Sequence, residues 1–318
     1  MQFCTYLLRR DSLSSKIDIS EEIWEYDPHS LFGDMKVSAT ILGSDEQGTL
    51  GHVILSALVG LIVGLAGGLV GLGGAELRLP YLAGTLRLPL KTAIPVNLAV
   101  SLITLLAALP TRLYALRTAS LTPYLRETIA LAFGAVLGAY AGVSWLRRLS
   151  PAALTRAVFV LLLALGVVMI AESVVSFAPL GVLPDARLLR VGSGLALGFL
   201  IGAISGLLGV AGGEVIIPTL ILGFGAPIKA AGSLSQMVSI PTVLTGFVRH
   251  YRAGALNDRE IAKRVIMPMG LGAIAGGIGG GLLSAAAPSS FLKAALGVIL
   301  IASSVKVFVR AESMRSPH

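Results

Sequence analysis

The 318-residue chain is 55% hydrophobic and only 13% charged, against roughly 25% charged residues in an ordinary soluble domain, so its solvent is lipid. The net charge of +8 is uneven: residues 1–50 hold nine of the seventeen acids and four of the Lys and Arg, a balance of −5, and the remainder carries +13. Excess basic residues in loops are the ordinary positive-inside sign of a polytopic protein, and a nucleic-acid partner is excluded because it would need a basic soluble face.

In chain order, residues 1–49 read as a polar, disordered tail with one short helix near Ser20–Trp24. Its start lacks the basic flank and cleavage site of a signal peptide, and Met35 is an alternative start. Cys4 is the single cysteine, which excludes an internal disulfide framework or a cysteine-based metal cluster. Spanning hydrocarbon takes about 20 apolar residues as helix. Eight windows qualify, near Leu50–Leu72, Thr92–Leu109, Leu125–Leu146, Ala152–Phe177, Val191–Val210, Ala230–Val248, Val265–Ala287 and Phe291–Val309. Glu76–Leu86 and Glu214–Phe224 are too short to cross alone and are expected as re-entrant or half-helices.

These windows fall into two copies of one plan. Gly-Leu-Gly-Gly-Ala-Glu-Leu-Arg-Leu-Pro at Gly71–Pro80 returns as Gly-Val-Ala-Gly-Gly-Glu-Val-Ile-Ile-Pro at Gly209–Pro218, and the shift of 138 residues that carries Glu76 onto Glu214 holds from Gly64 to Ser101. The expected architecture is all-α: membrane repeat 1 over 50–178, a connector at 179–190, membrane repeat 2 over 191–310 and a tail at 311–318. Each repeat has about four spans and one broken helix. Basic residues follow the second long window in both halves, Arg112, Arg117 and Arg126 and then Arg249, Arg252 and Arg259, which favours parallel repeats about an axis along the membrane normal.

Gly71, Gly73 and Gly74, with Gly209, Gly212 and Gly213, permit positive φ and free the backbone from helical geometry. Freed peptide groups in hydrocarbon cost several kcal/mol each unless protein, water or a solute meets them. Pro80 and Pro218 are expected at the first turn of each short helix. The positive ends of two helix dipoles then face the loops, a pattern suited to an anion. Small-residue rows such as Gly60–Gly64–Gly68 and Gly194–Gly198–Gly202 read instead as packing faces.

Glu76 and Glu214 sit at mid-membrane positions, where a carboxylate is a functional candidate. Each reads as a protonatable coupling residue, a helix cap or a cation partner. Arg78, replaced by Ile216 in the second copy, is either the ion-pair partner of Glu76 in extended backbone or an oxyanion donor. Asn97, Ser101 and Thr104, and Ser233, Ser235, Gln236, Ser239 and Thr242, line the helices that follow. Asn97, Ser233, Ser235 and Gln236 are the preferred side-chain ligands, beside backbone at Gly73, Gly74, Ala75, Gly212 and Gly213. No cofactor and no metal is expected: no histidine pair has metal-ligand spacing, no P-loop is present, and Gly202-Ala-Ile-Ser-Gly206 has no intramembrane histidine to serve as base.

The two glycine-glutamate motifs, with Ala-Gly-Ser-Leu-Ser at Ala231–Ser235, resemble the TauE/SafE sulfite-exporter family over about residues 50–310. The resemblance implies a multi-pass inner-membrane protein of tandem four-helix repeats that moves sulfite, sulfonates or related sulfur-containing anions, driven by ion gradients. Where the common family pattern has glycine or an apolar residue after the glycine pair, this chain has Glu76 and Glu214. That departure implies proton coupling or a different solute. The expected function is a secondary transporter whose partners are the lipid bilayer and a small anionic solute, with an anion channel or a non-transporting membrane scaffold as alternatives.

Overall fold

The computed structural model describes residues 46–86, 88, 90–116, 121–142, 151–174, 182, 186–208, 210–252 and 259–313. The expectations for the tail before residue 46, including Ser20–Trp24, Met35 and Cys4, for Gly209, for Arg117 and for residues after 313 lie outside the described residues. Among the described residues all regular structure is helical, in eight long helices, three short α-helical segments (one of them Arg259–Ile261) and brief 3-10 and π turns. In the first repeat these are α1 (Glu46–Val70), the short α2 (Ala75–Pro80), α3 (Leu90–Leu116), α4 (Leu125–Leu137) and α5 (Pro151–Val174). The second repeat has α6 (Arg187–Leu208), the short α7 (Gly213–Pro218), α8 (Ile228–Arg252), α9 (Met267–Ala286) and α10 (Ser289–Ser313).

Four stretches are long and apolar enough to cross a membrane on length and composition alone: Leu50–Val70, Thr92–Leu116, Arg187–Gly206 and Ala262–Ala286. α8 has comparable length but carries Ser233, Ser235, Gln236, Ser239 and Thr242, all buried. Its polar groups face protein, which is where a polar helix is tolerated at membrane depth.

The prolines act differently from expectation. α2 and α7 start at Ala75 and Gly213, directly after the glycines, and Pro80 and Pro218 are their last residues. Beyond each proline the winding widens to a π-turn, over Tyr81–Thr85 and Thr219–Gly223. Proline has no N–H for the i−4 carbonyl and its ring crowds that carbonyl, so the helix relaxes there without ending.

Glycine rows bring the long helices together. Gly60, Gly64 and Gly68 of α1 lie against backbone at Met269, Ala273 and Gly277 of α9; a Cβ added at Gly64 would stand 2.8 Å from the Ala273 carbonyl oxygen. The equivalent pair joins α6 to α4, with Gly198 on Leu131 and Gly202 on Ala135, where an added Cβ would be 2.6 Å from the Ala135 Cα. Lipid tails are as apolar as leucine, so close backbone approach, rather than release of apolar surface from water, holds such pairs. In both cases the first helix of one repeat packs on the third long helix of the other, and the repeats interleave.

The direction of contacts corrects the parallel arrangement. The second long helices cross at the centre, with Arg112 of α3 beside Ser233 of α8 and Leu98 beside Gly246. Numbers rise along α3 as they fall along α8, so equivalent helices run antiparallel. α5 and α10 do the same, with Gly166 against Ile301 and Gly297 against Ile170. The repeats are therefore inverted, related by a two-fold axis in the membrane plane. The basic stretches of the two halves are not equivalent loops, because Arg112 is fully buried within α3.

Candidate functional site

The helix breaks exist and they meet. Gly71, Gly73 and Gly74 have φ of 101°, 79° and 76°, and Gly212 has 73°. Gly74 and Gly212, equivalent under the 138-residue shift, are the N-caps of α2 and α7. Left-handed backbone costs an L-residue about 1–2 kcal/mol, which is why glycine stands at both caps. Gly71 lies against the backbone of Gly232, and a Cβ added at Gly213 would be 3.1 Å from the Leu72 Cα and 3.3 Å from the Ser235 Oγ. Gly73, Gly74, Ala75, Gly212 and Gly213 are all buried, and Ala75 and Ala211 share a core cluster with Leu98, Leu105 and Val243 of the crossing helices.

Arg78 fixes the depth of this junction. It is fully buried; Nη1 donates to Ser101 Oγ at 3.0 Å, and Nη2 donates to Thr104 Oγ1 at 2.8 Å and to the Gly73 carbonyl. Ser101 and Thr104 lie near the middle of the apolar stretch Thr92–Leu116. Asn97 Nδ2 donates to the Ala75 carbonyl at 2.9 Å, pinning the first residue of α2 to α3. The first break is thus tied to α3 by three side chains.

Glu76 is buried and neither of its carboxylate oxygens has a hydrogen-bond partner. Glu76 forms no close ion pair with Arg78, although the Arg78 charge acts on the carboxylate and the backbone N–H of Glu76 itself faces it. The ion-pair expectation assumed extended backbone, but α2 is helical from Ala75, and residues two apart on a helix point about 200° from one another. Glu214 is also buried, in the first turn of α7.

On α8 the polar row divides. Ser233 Oγ accepts from Arg112 Nε at 3.1 Å, so it serves the helix crossing. Ser235 Oγ, both polar atoms of the Gln236 carboxamide and Ser239 Oγ are buried without hydrogen-bond partners. Ser235 and Ser239 share a helix face one turn apart, and Gln236 flanks it.

Arg112 was missed as a site residue. Besides Ser233 it donates through Nη1 to the Gly68 and Leu69 carbonyls, both at 2.7 Å, and through Nη2 to the Lys229 carbonyl at 3.1 Å. It thereby closes the carbonyl end of α1 and joins it to the start of α8. The apolar residues beyond it, Leu113 to Leu116, were the sign that the helix continued. Glu127, likewise not singled out, is buried at the start of α4 and pairs with Arg190 of α6 at 3.2 Å. Ser205, within Gly202-Ala-Ile-Ser-Gly206, donates to the Val210 carbonyl and closes the end of α6.

A family model described as sulfite exporter TauE/SafE matches residues 15–172 and 194–318. The chain is similar to the probable membrane transporter protein YunE of Bacillus subtilis (strain 168), with 26% identity over 220 residues, 64% of this chain and 80% of that protein. No solved structure matches the chain.

Proposed function

Because the chain belongs to the sulfite exporter TauE/SafE family and is a multi-pass membrane transporter, we propose that it is a secondary carrier of a small sulfur-containing oxyanion, sulfite or a sulfonate, in the cell inner membrane. The observation that carries this reading is the meeting of two broken helices beside unpartnered polar side chains at the centre of the inverted repeat. Solute oxygens take backbone donors around Gly73–Glu76 and Gly212–Glu214 together with side chains of the crossing helices, and rocking of the repeats alternates access. Buried arginines at 78 and 112 give the site a positive field without a direct contact, which favours an anion over a cation. Glu76 and Glu214 are the acids to which proton coupling is assigned, Glu76 because its buried carboxylate has no hydrogen-bond partner on another side chain.

The test is flux into liposomes containing purified protein, with sulfite, thiosulfate, sulfate, sulfoacetate, taurine and a halide offered under imposed proton gradients. Saturable, gradient-driven uptake of a sulfur oxyanion is expected, and Glu76→Gln is expected to keep solute exchange while losing the response to the gradient. Non-saturating flux that ignores the gradient would make the protein a channel. Flux no greater than that of empty liposomes, with cellular solute levels unmoved by Glu214→Gln, would make it a scaffold.

A further inference from the structure

The two repeats share a backbone plan at the junction, and Glu76 Oε1 and Oε2 and Arg78 Nε lack hydrogen-bond partners in the first, but the polar faces of the helices that follow, α3 and α8, differ in their hydrogen bonds. The 138-residue shift carries Arg78 onto Ile216, Asn97 onto Ser235 and Ser101 onto Ser239. In the first repeat Arg78 occupies Ser101 and Thr104, and Asn97 holds the Ala75 carbonyl. In the second, Ile216 is buried and has no donor to offer, so Ser239 is left without a partner, and Ser235 and Gln236 with it. Buried polar groups are nearly always hydrogen-bonded in native proteins, and an unmatched cluster on one helix face is the mark of a ligand surface.

Resting on the transport reading above, we propose that the solute site is one-sided: Ser235, Gln236 and Ser239 of α8 make its side-chain contacts, and the equivalent face of α3 is closed by Arg78 and makes none. Arg78, Asn97 and Ser101 are positioning residues that hold the first break still as a fixed wall. Ser239 enters the site, and Ser233 leaves it because Arg112 holds its hydroxyl. The side-chain set that remains is neutral, two hydroxyls and one carboxamide, and the terminal nitrogens of Arg78 and all three nitrogens of Arg112 are already on protein acceptors. Neutral donors suit a singly charged oxyanion, because a second buried charge would lack direct compensation.

Single variants in liposomes, with sulfite and sulfoacetate as probes, test the assignment. Ser235→Ala and Ser239→Ala are each expected to raise KM about tenfold, the usual effect of losing a hydrogen bond to a charged group, and to leave the melting temperature of the solute-free protein unchanged or higher. Ser101→Ala and Asn97→Ala are expected to do the reverse, lowering the melting temperature with KM unchanged. Ile216→Arg places in the second repeat the donor that closes the first, and is expected to abolish uptake in a folded protein. The proposal is overturned if Ser101→Ala and Asn97→Ala raise KM while the α8 variants do not, or if Ile216→Arg carries sulfite or sulfoacetate with native KM. The melting temperatures need no solute: native protein that carries neither probe sinks the transport reading, whereas α8 variants that melt lower than Ser101→Ala sink the division of roles.

Discussion

Arg112 places a guanidinium inside a membrane helix with protein acceptors on each of its nitrogens, from α1, α8 and the Ser233 hydroxyl. Breaking such a set is costly because every acceptor left behind is also buried. Arg112→Lys keeps the charge but replaces a planar fork by a point donor that does not reach four acceptors on two helices. A loss of about 2–4 kcal/mol of stability is expected on the scale of hydrogen bonds to charged groups, read as a lower thermal midpoint in detergent; an unchanged midpoint would remove Arg112 from its clamping role. Gly232 is coupled to it, since a Cβ there would stand against the Val70 carbonyl and 2.5 Å from Arg112 Nη2. At this scale the residue types of the site were legible and their partners were not. Glu76, Arg78 and Asn97 stand in the motif and its following helix, but which of them bond each other depends on where α2 starts.

Among elements, the long helices follow from uninterrupted apolar sequence, and the glycine rows declare which faces touch. The contrast between Gly198 and Gly192, both in α6, makes this testable. Gly198 lies on the Leu131 backbone of α4, whereas nothing stands within 4 Å of a Cβ at Gly192. Gly198→Leu is expected to lower stability by at least the roughly 1–3 kcal/mol typical of overpacking, and Gly192→Leu to leave it unchanged, both measured by thermal unfolding of purified protein. Equal effects would show that the α4–α6 contact is not what holds the pair. The short helices were legible in kind, from length and glycine, but their starts were misread. Proline is compatible with a first turn and also with a loosened one, and the preceding glycines, in left-handed backbone at Gly74 and Gly212, had already begun the helix.

For the whole molecule, inversion changes the meaning of the loop charges. α4 and α8 run in the same direction, with Tyr124 against Gly225 at their starts and Arg249 against Tyr140 at their ends. The start of α4 and the start of α9 therefore lie on opposite faces. Arg249, Arg252, Arg259, Lys263 and Arg264 cluster at the latter face, which the positive-inside rule makes cytoplasmic. In protein whose Cys4 is replaced, Thr122→Cys is expected to react with an impermeant maleimide applied to intact cells, and Glu260→Cys only after permeabilisation. The opposite pattern would reverse the orientation of the whole bundle.

Composition and a 138-residue repeat by themselves determined that this is an all-helical membrane protein built twice, with a break in each copy, because hydrophobic length and glycine act locally. Only the tertiary structure decided that the copies are inverted and interleaved, that Arg112 is an interior clamp, and that Arg78 closes one polar face while Ile216 leaves the other open. Those outcomes depend on which helix ends come together across more than a hundred residues, and a buried polar group takes its role from the partner that reaches it.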